Sequence, residues 1–386
     1  MEHWLMSFKC SQAESAQLWE SLRNDLLNKS LCTVHTFNID QQFKSGSLDS
    51  LVAMADDFSR LDHQLEAALR KIERQCFDLD PNPSLTVCLA SKDNKDNKEY
   101  VSTSSYLSTF KWDVSKYAPS NSLAELLGII ENRLHSLDDD VKAQSAKFIE
   151  FRNALSQANK KDAGGLAVRD LSEVLVPEVC QLSDFINTEY LKTLIVVVPK
   201  KDIEQWLREY EFLSSKVVPG SAKQFSVEDK DGLTIWRIVI LTVAQDEVVA
   251  KAKKNRWVIR EFEFNPERTA VDKTNKEELR ADYNKKQATL LGLCKSVFSE
   301  LFIALVHLKA LRVYTESILR YSLPPQYFSV IVSAKDGKQK RILDGLVRRF
   351  LKSGERPDMF SAKEESEDGE DFFPFVFIRM PKYGEE

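Results

Sequence analysis

The feature that most constrains the fold of this chain is a ladder of apolar positions that begins at Leu123. The positions recur at alternating steps of four and three residues, and Gln144 occupies the one interrupted place. They are Leu123, Leu127, Ile130, Leu134, Leu137, Val141, Phe148, Phe151 and Leu155. A ladder of this period, sustained over several heptads, predicts one long helix with an apolar seam.

The ends of this predicted helix carry their own signals. Ser122 and Glu125 have the spacing of a capping box, in which each side chain satisfies a backbone N–H group at a helix start. Gly164 and Gly165 are typical of a helix C-terminus and predict a hinge after it. At 1.5 Å per residue, a helix over 122–160 would be about 60 Å long. A small domain cannot enclose such a helix, so its seam requires a partner helix of comparable length.

A candidate partner helix follows about a hundred residues later, counted along the sequence. Asn265 and Pro266 suit a helix start, whereas Pro324 and Pro325 would end the helix. Its apolar positions are Leu279, Tyr283, Leu290, Leu293, Val297, Leu301, Ala304, Leu308, Leu311 and Ile318. The heptad phase slips once, near Val297. Two long helices in this order pair most simply as an antiparallel hairpin, with a domain at each end.

We therefore predict an α+β, predominantly helical fold. The predicted form is an elongated dumbbell with two globular α/β domains joined by a long antiparallel two-helix coiled-coil neck. The foot domain combines residues 1–120 with residues 323–386. Neck helix 1 spans 121–162, and neck helix 2 spans 267–322 and runs into the foot. The head domain lies between them, at 163–266.

Shorter patterns predict strands and helices within both domains. The predicted head strands are 190–199, 233–243 and 258–264, and a predicted amphipathic helix over 202–215 has Trp206, Tyr210 and Leu213 on one face. The predicted foot strands are 4–8, 329–332 and 372–380, with an amphipathic helix over 48–72. An acidic run over 364–371 is interpreted as a solvated loop.

The motifs favour a protein without catalytic chemistry. The 12 glycines form neither a phosphate-binding loop nor a dinucleotide-binding fingerprint. The five histidines and six cysteines show no set of four ligands, so we expect no metal and no cofactor. His307 lies among apolar residues and is interpreted as a packed helix histidine. Asp138, Asp139 and Asp140 are interpreted as a solvated helix face, because paired catalytic carboxylates need a cleft.

Charge and hydropathy restrict the partners. A formal net charge of −5 argues against nucleic acid, which requires a cationic footprint. The cysteines are scattered and the N-terminus shows no secretory signal, so free thiols in a reducing cytosol are expected. The most apolar run, 301–308, lies between Glu300 and Lys309 and is far shorter than the ~20 residues of a membrane span. We expect membrane association only through a partner.

Short segments along nearly the whole chain carry a resemblance. The most specific is SELFIALVHLKALRV at 299–313, and EYLKTLIVVVPK at 189–200 and FKWD at 110–113 also carry it. The others are 47–52, 61–62, 116–117, 217–219, 258–265, 316–321, 323–324 and 374–378. Together these signature segments resemble the family of C subunits of eukaryotic vacuolar-type proton-translocating ATPases. Residues 78–97 and the acidic run resemble the family least.

The resemblance implies a non-catalytic component of the peripheral stalk, with a head, a neck and a foot. The head of family members binds one heterodimer of subunits E and G. The foot contacts a second such heterodimer and the cytosolic domain of membrane subunit a. The protein thereby braces the stator against rotary torque, and its release accompanies reversible disassembly of the cytosolic and membrane sectors. Family members are also described as binding actin. The implied location is the cytoplasm, on the cytosolic face of vacuolar and endomembrane compartments.

The interface residues must be proposed from the chain itself. We select the cations that cluster near the predicted head strands, which are Lys200, Lys201, Lys251, Lys253, Lys254 and Arg256. The structural alternative is that they are solvated helix and strand ends. Two other functions stay open at this point. One is a cytoskeletal or trafficking adaptor that uses the same neck, and the other is an enzyme with a polar pocket near 190–200.

Overall fold

The computed structural model describes residues 1–386 except 12, 28–30, 40–42, 45, 91–97, 163–164, 167–168, 228–231, 324–325, 352–372 and 385–386. Its helices are α1 Ser15–Leu27, α2 Leu48–Leu79, α3 Thr103–Ser108, α4 Leu123–Asp162, α5 Ile203–Glu209, α6 Gln245–Lys254, α7 Pro266–Tyr321 and α8 Gln339–Phe350. Its strands are β1 Glu2–Lys9, β2 Cys32–Thr36, β3 Val87–Ala90, β4 Lys98–Val101, β5 Leu191–Pro199, β6 Lys223–Phe225, β7 Leu233–Leu241, β8 Val258–Arg260, β9 Tyr327–Ala334 and β10 Val376–Met380.

The chain divides into two compact units. The first unit contains Met1–Ser145 and Ala288–Glu386, and the second contains Ala146–Gln287. Helices α4 and α7 each contribute residues to both units. The mixture of helices and sheets confirms the α+β class. The predicted domain limits and the dumbbell with its coiled-coil neck stay predictions.

The first unit is built on a sheet that joins both ends of the chain. Its strand order is β10-β1-β9-β2, with β1 antiparallel to both β9 and β10. Alternate residues of β1, Trp4, Met6 and Phe8, are buried in a core with residues of α1 and α8. The opposite face of β1 meets α7, where the Ser7 and Ser317 hydroxyls are 2.5 Å apart. The strands predicted at 4–8 and 329–332 are therefore confirmed.

In the first unit α4 lies beside α2 as well as α7. Arg60 pairs with Glu131 at 2.9 Å and Lys71 pairs with Asp138 at 2.9 Å. The near-constant sequence offset of these pairs shows that α2 and α4 run in parallel. Arg133 of α4 donates to Glu300 of α7 at 2.9 Å. Helix α4 thus lies beside two helices in this unit, where the sequence predicted one partner.

The start of α4 and its buried seam match the sequence prediction. The Ser122 N–H donates to the Glu125 carboxylate at 2.8 Å, and the Glu125 N–H donates to the Ser122 hydroxyl at 3.3 Å, which completes the capping box. The seam residues from Leu123 to Phe148 are buried, whereas Phe151 and Leu155 are half-buried. The helix ends at Asp162. Gly164, Pro324, Pro325 and the acidic run 364–371 lie outside the described residues.

A buried ion pair joins α2 to α7. The Lys309 ammonium lies 2.9 Å from the Asp62 carboxylate and 2.8 Å from Glu66. The Lys309 side chain is 2% exposed and that of Asp62 is 5% exposed. Arg312 adds a second contact to Asp62, at 2.9 Å, and a contact to Glu316 at 2.8 Å. Both cations belong to the signature segment 299–313, which the structure places at the centre of the first unit.

His307 occupies the same helix and is fully buried. Its Nε2 accepts from the Asp113 N–H at 3.0 Å, and its Nδ1 lies 2.8 Å from the Ile303 carbonyl oxygen. This arrangement requires the neutral ring, with the proton on Nδ1. Trp112 and Tyr117 pack on the ring, with centroids at 4.8 and 4.6 Å. The signature segments 110–113 and 116–117 therefore dock onto 299–313, and the interpretation of His307 as a packed histidine is confirmed.

The apolar character of α7 is stronger than its sequence led us to expect. By length and composition, Glu277–Tyr321 could cross a membrane, which corrects the expectation that no segment could. That expectation took Lys309 as the end of the apolar run, but this lysine is buried with its counter-ion inside the fold. In the most apolar window 61% is buried, as in the core helix of a soluble protein, which passes the same test. The finding is weak evidence for a span.

The second unit contains a four-stranded antiparallel sheet of order β6-β7-β5-β8. One face packs on α5 and α6, with Trp206, Tyr210 and Leu213 in its core, as predicted. The other face packs on the chain around Leu166–Cys180 and on Phe264. The predicted helix over 202–215 is shorter than expected, because it turns into a 3-10 helix at Tyr210–Leu213. The predicted strand 258–264 is paired only over Val258–Arg260.

We expect the buried ion pair to control the stability of the first unit. Lys309→Met should lower the free energy of unfolding by about 3 kcal/mol, because it leaves buried Asp62 without a principal counter-ion. Lys71→Ala removes a half-exposed pair from the same helix layer and should cost no more than about 1 kcal/mol. Urea unfolding of the full chain measures both. Equal losses for the two variants would contradict this assignment.

We also expect His307 to make stability pH-dependent. Burial lowers the pKa of His307 to about 4. The unfolded chain takes up this proton near pH 6.5 and the folded chain does not, so stability falls as the pH falls from 6.5 towards 4. The free energy of unfolding falls by about 3 kcal/mol in total over this pH range. Urea midpoints between pH 7 and pH 4.5 should decline more steeply for the natural chain than for His307→Gln. Parallel declines would rule the histidine out as the cause.

Candidate functional site

The six predicted interface cations are exposed and belong to two segments of the second unit. Lys200 and Lys201 lie in the 3-10 turn that follows β5. Lys251, Lys253 and Lys254 lie in the last turns of α6, and Arg256 follows two residues later.

The fold brings these two segments to the same end of the sheet. β8 pairs with the last part of β5, with Val258 opposite Val197, so the chain leaves α6 beside the end of β5. The Trp257 ring, next to Arg256, packs edge-on against Trp206 of α5 at 4.9 Å. We call this region, defined by the six cations, the cationic end. The sequence placed its two halves fifty residues apart, and strand pairing unites them.

The cationic end has few internal counter-ions. Lys251 pairs with Glu247 one turn earlier at 2.9 Å, and this contact holds the pKa of Glu247 below its usual value. The other five cations form no ion pair with any described residue. Lysines at a helix C-terminus also complement the helix dipole. The alternative that these cations are solvated ends of secondary structure therefore accounts for part of the cluster.

Arg256 gives the cationic end a strained backbone. Its φ is +62°, in the left-handed region that favours glycine. The Arg256 N–H donates to the Lys253 carbonyl and the Trp257 N–H donates to the Ala252 carbonyl, at 3.1 and 3.0 Å. These two bonds form a Schellman motif, in which this position is usually glycine. An arginine here costs conformational energy that glycine would not, and such positions are commonly functional.

The opposite end of the sheet exposes large apolar side chains that were not among the predicted interface residues. Tyr190 is 69% exposed just before β5, and Val243 is 80% exposed just after β7. Phe212 is 81% exposed on the adjoining 3-10 turn. We call these three residues with Leu241 the apolar tip. Phe212 was recognisable in the sequence, because it lies off the face defined by Trp206, Tyr210 and Leu213.

Backbone hydrogen bonds hold the apolar tip in place. The Thr242 N–H donates to the Tyr190 carbonyl at 2.9 Å, and the Leu241 N–H donates to the Lys216 carbonyl at 3.0 Å. The Ser214 hydroxyl donates to Glu247 at 2.8 Å, which ties the turn after Phe212 to the start of α6. The exposed apolar groups thus project from an ordered frame, and such a surface suits protein binding.

The described residues offer little for catalysis in this unit. Residues 194–198 of β5, within the region where the enzyme alternative requires a polar pocket, are buried in the two apolar cores. Across the described part of the chain, no group of three or more His, Cys, Asp or Glu side chains is placed to hold a metal.

The fold and these two surfaces define a two-unit α+β protein whose exposed features suit contacts with other proteins. The family model for the C subunit of V-ATPase matches residues 3–376. The chain belongs to this family, as the signature segments indicated, and membership supports a role as a V-ATPase component.

Individual relatives align along most of their length. The V-type proton ATPase C subunit of Caenorhabditis elegans is 30% identical over 98% of this chain and 96% of that protein. The V-type proton ATPase C 1 subunit of Xenopus laevis is 33% identical over 89% of this chain and 87% of its own length. The V-type proton ATPase C 1 subunit of Bos taurus is 31% identical over 90% of this chain and 88% of its own length.

We expect the strain at Arg256 to be measurable. Arg256→Gly should raise the free energy of unfolding by about 0.5–1 kcal/mol, because glycine adopts the left-handed conformation without a steric cost. Arg256→Ala removes the same side chain but keeps the strain, so it serves as the control. Urea or thermal unfolding measures both variants. If the Arg256→Gly protein is no more stable than the Arg256→Ala protein, the assignment of backbone strain to Arg256 is wrong.

Proposed function

We propose that this chain is a non-catalytic stator subunit of a vacuolar-type proton-translocating ATPase. In this proposal it bridges peripheral-stalk heterodimers of subunits E and G, through head and foot, and the cytosolic domain of membrane subunit a, through the foot. It resists rotary torque and controls reversible assembly of the cytosolic and membrane sectors. It works in the cytoplasm, on the cytosolic face of vacuolar and endomembrane compartments. The family match over residues 3–376 carries the proposal.

Long continuous helices support a role in transmitting force. Helix α4 has 40 residues and α7 has 56, and both enter each of the two units. Proline, the residue that most strongly kinks helices, occurs in them only at Pro266, the first position of α7, where it is tolerated. A stator protein must transfer load between contacts without bending, and packed, uninterrupted helices provide that stiffness.

Two separate contacts on one chain support reversible assembly. When two modest interfaces belong to one molecule, each raises the effective concentration of the other, so together they bind tightly. Weakening one interface then releases the whole protein. This property explains how the chain is firmly held during rotation and is still released on a signal, with no covalent chemistry.

Within the second unit, we assign the E–G contact to the apolar tip and the cationic end. Phe212 and Val243 are large, exposed and anchored on an ordered frame, as binding hot spots are. A helical partner presents apolar side chains at intervals of three and four residues, which suits a tip of separate apolar groups. Lys253, Lys254 and the neighbouring cations would attract acidic side chains and accelerate association. We assign no residue to actin, the further partner implied by the resemblance.

Calorimetry with a purified E–G heterodimer tests the proposal on the full chain. Phe212→Ser should weaken binding about tenfold or more, as for a truncated hot spot. Lys253→Glu with Lys254→Glu should weaken binding mainly at low salt. Leu182→Ser, at a residue 65% exposed in the other layer of the unit, is the matched control and should change little.

The possible outcomes test the stator role and the assignment of the two contact surfaces separately. A folded full chain that does not bind E–G would overturn the stator proposal and favour the adaptor alternative. Binding that none of the variants weakens would keep the stator role but exclude both surfaces of the second unit. Equal weakening by Leu182→Ser would show that the losses reflect the fold.

A further inference from the structure

We propose that the exposed face of α8, in the first unit, is a docking site for an extended acidic peptide segment of a partner protein. The inference rests on an open groove, an excess of cations that form no ion pair with any described residue, and a helix sequence that includes residues unfavourable to helix formation. It is independent of the E–G contact that we assign to the apolar tip and the cationic end of the second unit.

The groove follows α8 along about three turns. It encloses about 870 Å³ and is lined by Leu22 of α1, Leu31 and residues from Gly337 to Arg349. Arg341, Gly345 and Arg348 recur at helical spacing and mark one stripe on α8, and Gly337 lies in the turn before the helix. At 1.5 Å per residue, the 12 residues of α8 span about 18 Å. Five to six residues of an extended peptide, at about 3.3 Å each, have the same length.

Cations dominate the lining of the groove, and most of them have no partner among the described residues. Lys340, Arg341 and Arg348 are exposed and form no ion pair or hydrogen bond with any described residue through their side chains. Arg349 donates to the Ser21 hydroxyl at 2.6 Å. Asp344 is the one carboxylate among the lining residues of the groove.

The carboxylate nearest to the start of α8 along the chain is already paired. Asp336 lies 3.1 Å from the Lys382 ammonium and 3.6 Å from the N-terminal amino group. It is therefore committed to other cations, and the field along the groove remains positive. An acidic ligand would supply the missing counter-charge.

Two features of the α8 sequence make the helix less stable than it could be. Its first turn contains no acidic residue, its N-cap Lys338 makes no side-chain cap bond, and Lys340 and Arg341 face the positive end of the helix dipole. Gly345 lies in the helix interior, where alanine would be more stable, although an added Cβ would meet nothing within 4 Å. Such locally unfavourable choices are expected where a surface serves binding.

A protein segment fits these observations better than a membrane surface. The apolar side of α8, formed by Ile342, Leu343, Leu346 and Val347, is buried in the core of the first unit. No residue of α8 is among the exposed large apolar side chains of the described chain. A helix that adsorbs to a bilayer needs an apolar face to insert, and α8 has none available. A linear groove with charged sides selects an extended polyanion.

Fluorescence anisotropy with the full chain tests the proposal. The probe is a labelled peptide of about ten residues that alternates Glu and Ser, long enough to span the stripe. Its control replaces each Glu by Gln. We expect the acidic peptide to bind about tenfold tighter or more, and the difference to shrink as salt is raised from about 50 to about 200 mM.

Substitutions in the groove give matched comparisons. Arg341→Glu with Arg348→Glu should weaken the acidic peptide about tenfold or more. Gly345→Glu should also weaken it, while the thermal midpoint stays the same or rises, because glutamate is the better helix former. Arg74→Glu reverses an exposed cation on α2 of the same unit that forms no ion pair with any described residue, and it should change affinity less than twofold.

Four results would overturn the proposal. Equal affinity for the Glu and Gln peptides would remove the charge selectivity, and an equal loss for Arg74→Glu would remove the assignment to α8. A variant in which Glu364, Glu365 and Glu367 are all replaced by Gln should leave peptide affinity unchanged. A rise of about tenfold would instead identify this chain's own acidic run as the occupant, since a tethered segment has a high effective concentration. Binding to phosphatidylserine vesicles without peptide binding would identify a membrane site.

Discussion

The buried contact between Lys309 and Asp62 is the interaction on which the first unit most depends. Two side chains almost removed from water hold α2 to α7, and Arg312 extends the contact to the surface. A buried charge is tolerated only with a partner in good geometry, so this pair fixes how the two helices register. Two residues before Lys309, neutral His307 ties α7 to the loop at Asp113. Charge pairing and hydrogen bonding thus specify a core that apolar packing alone would leave less defined.

In the second unit, one short helix connects both candidate contact surfaces. Helix α6 begins beside the apolar tip, where Glu247 accepts from Ser214, and ends at Lys254 in the cationic end, two residues before Arg256. A strand of nine residues, β5, separates the two surfaces by roughly 30 Å. The unit therefore presents apolar and cationic groups from a single rigid frame. Such a division suits a partner that is attracted by charge and held by apolar anchors.

Predictions from the sequence were accurate where the interactions are local. The capping box at Ser122 and the seam from Leu123 are local patterns, and the structure has both. The interpretation of His307 as a packed residue also needed only its neighbours. By contrast, the sequence predicted one partner for α4, whereas α2 also packs on it through Arg60 and Lys71. The predicted end of the apolar run at Lys309 was wrong, because the counter-ion of this lysine lies 247 residues away.

What the sequence determined by itself was the family, the α+β class and the long helices, because periodicity, capping and signature segments are properties of contiguous residues. What only the tertiary structure decided was which distant side chains share a surface. Strand pairing unites Lys200 with Arg256. The exposure of Phe212 and Val243 depends on what every other segment leaves uncovered. The groove along α8 is flanked by Leu22 of α1 and by Leu31, and the Lys340, Arg341 and Arg348 side chains that line it form no ion pair with any described residue. Surfaces are set by long-range packing, which no local pattern encodes.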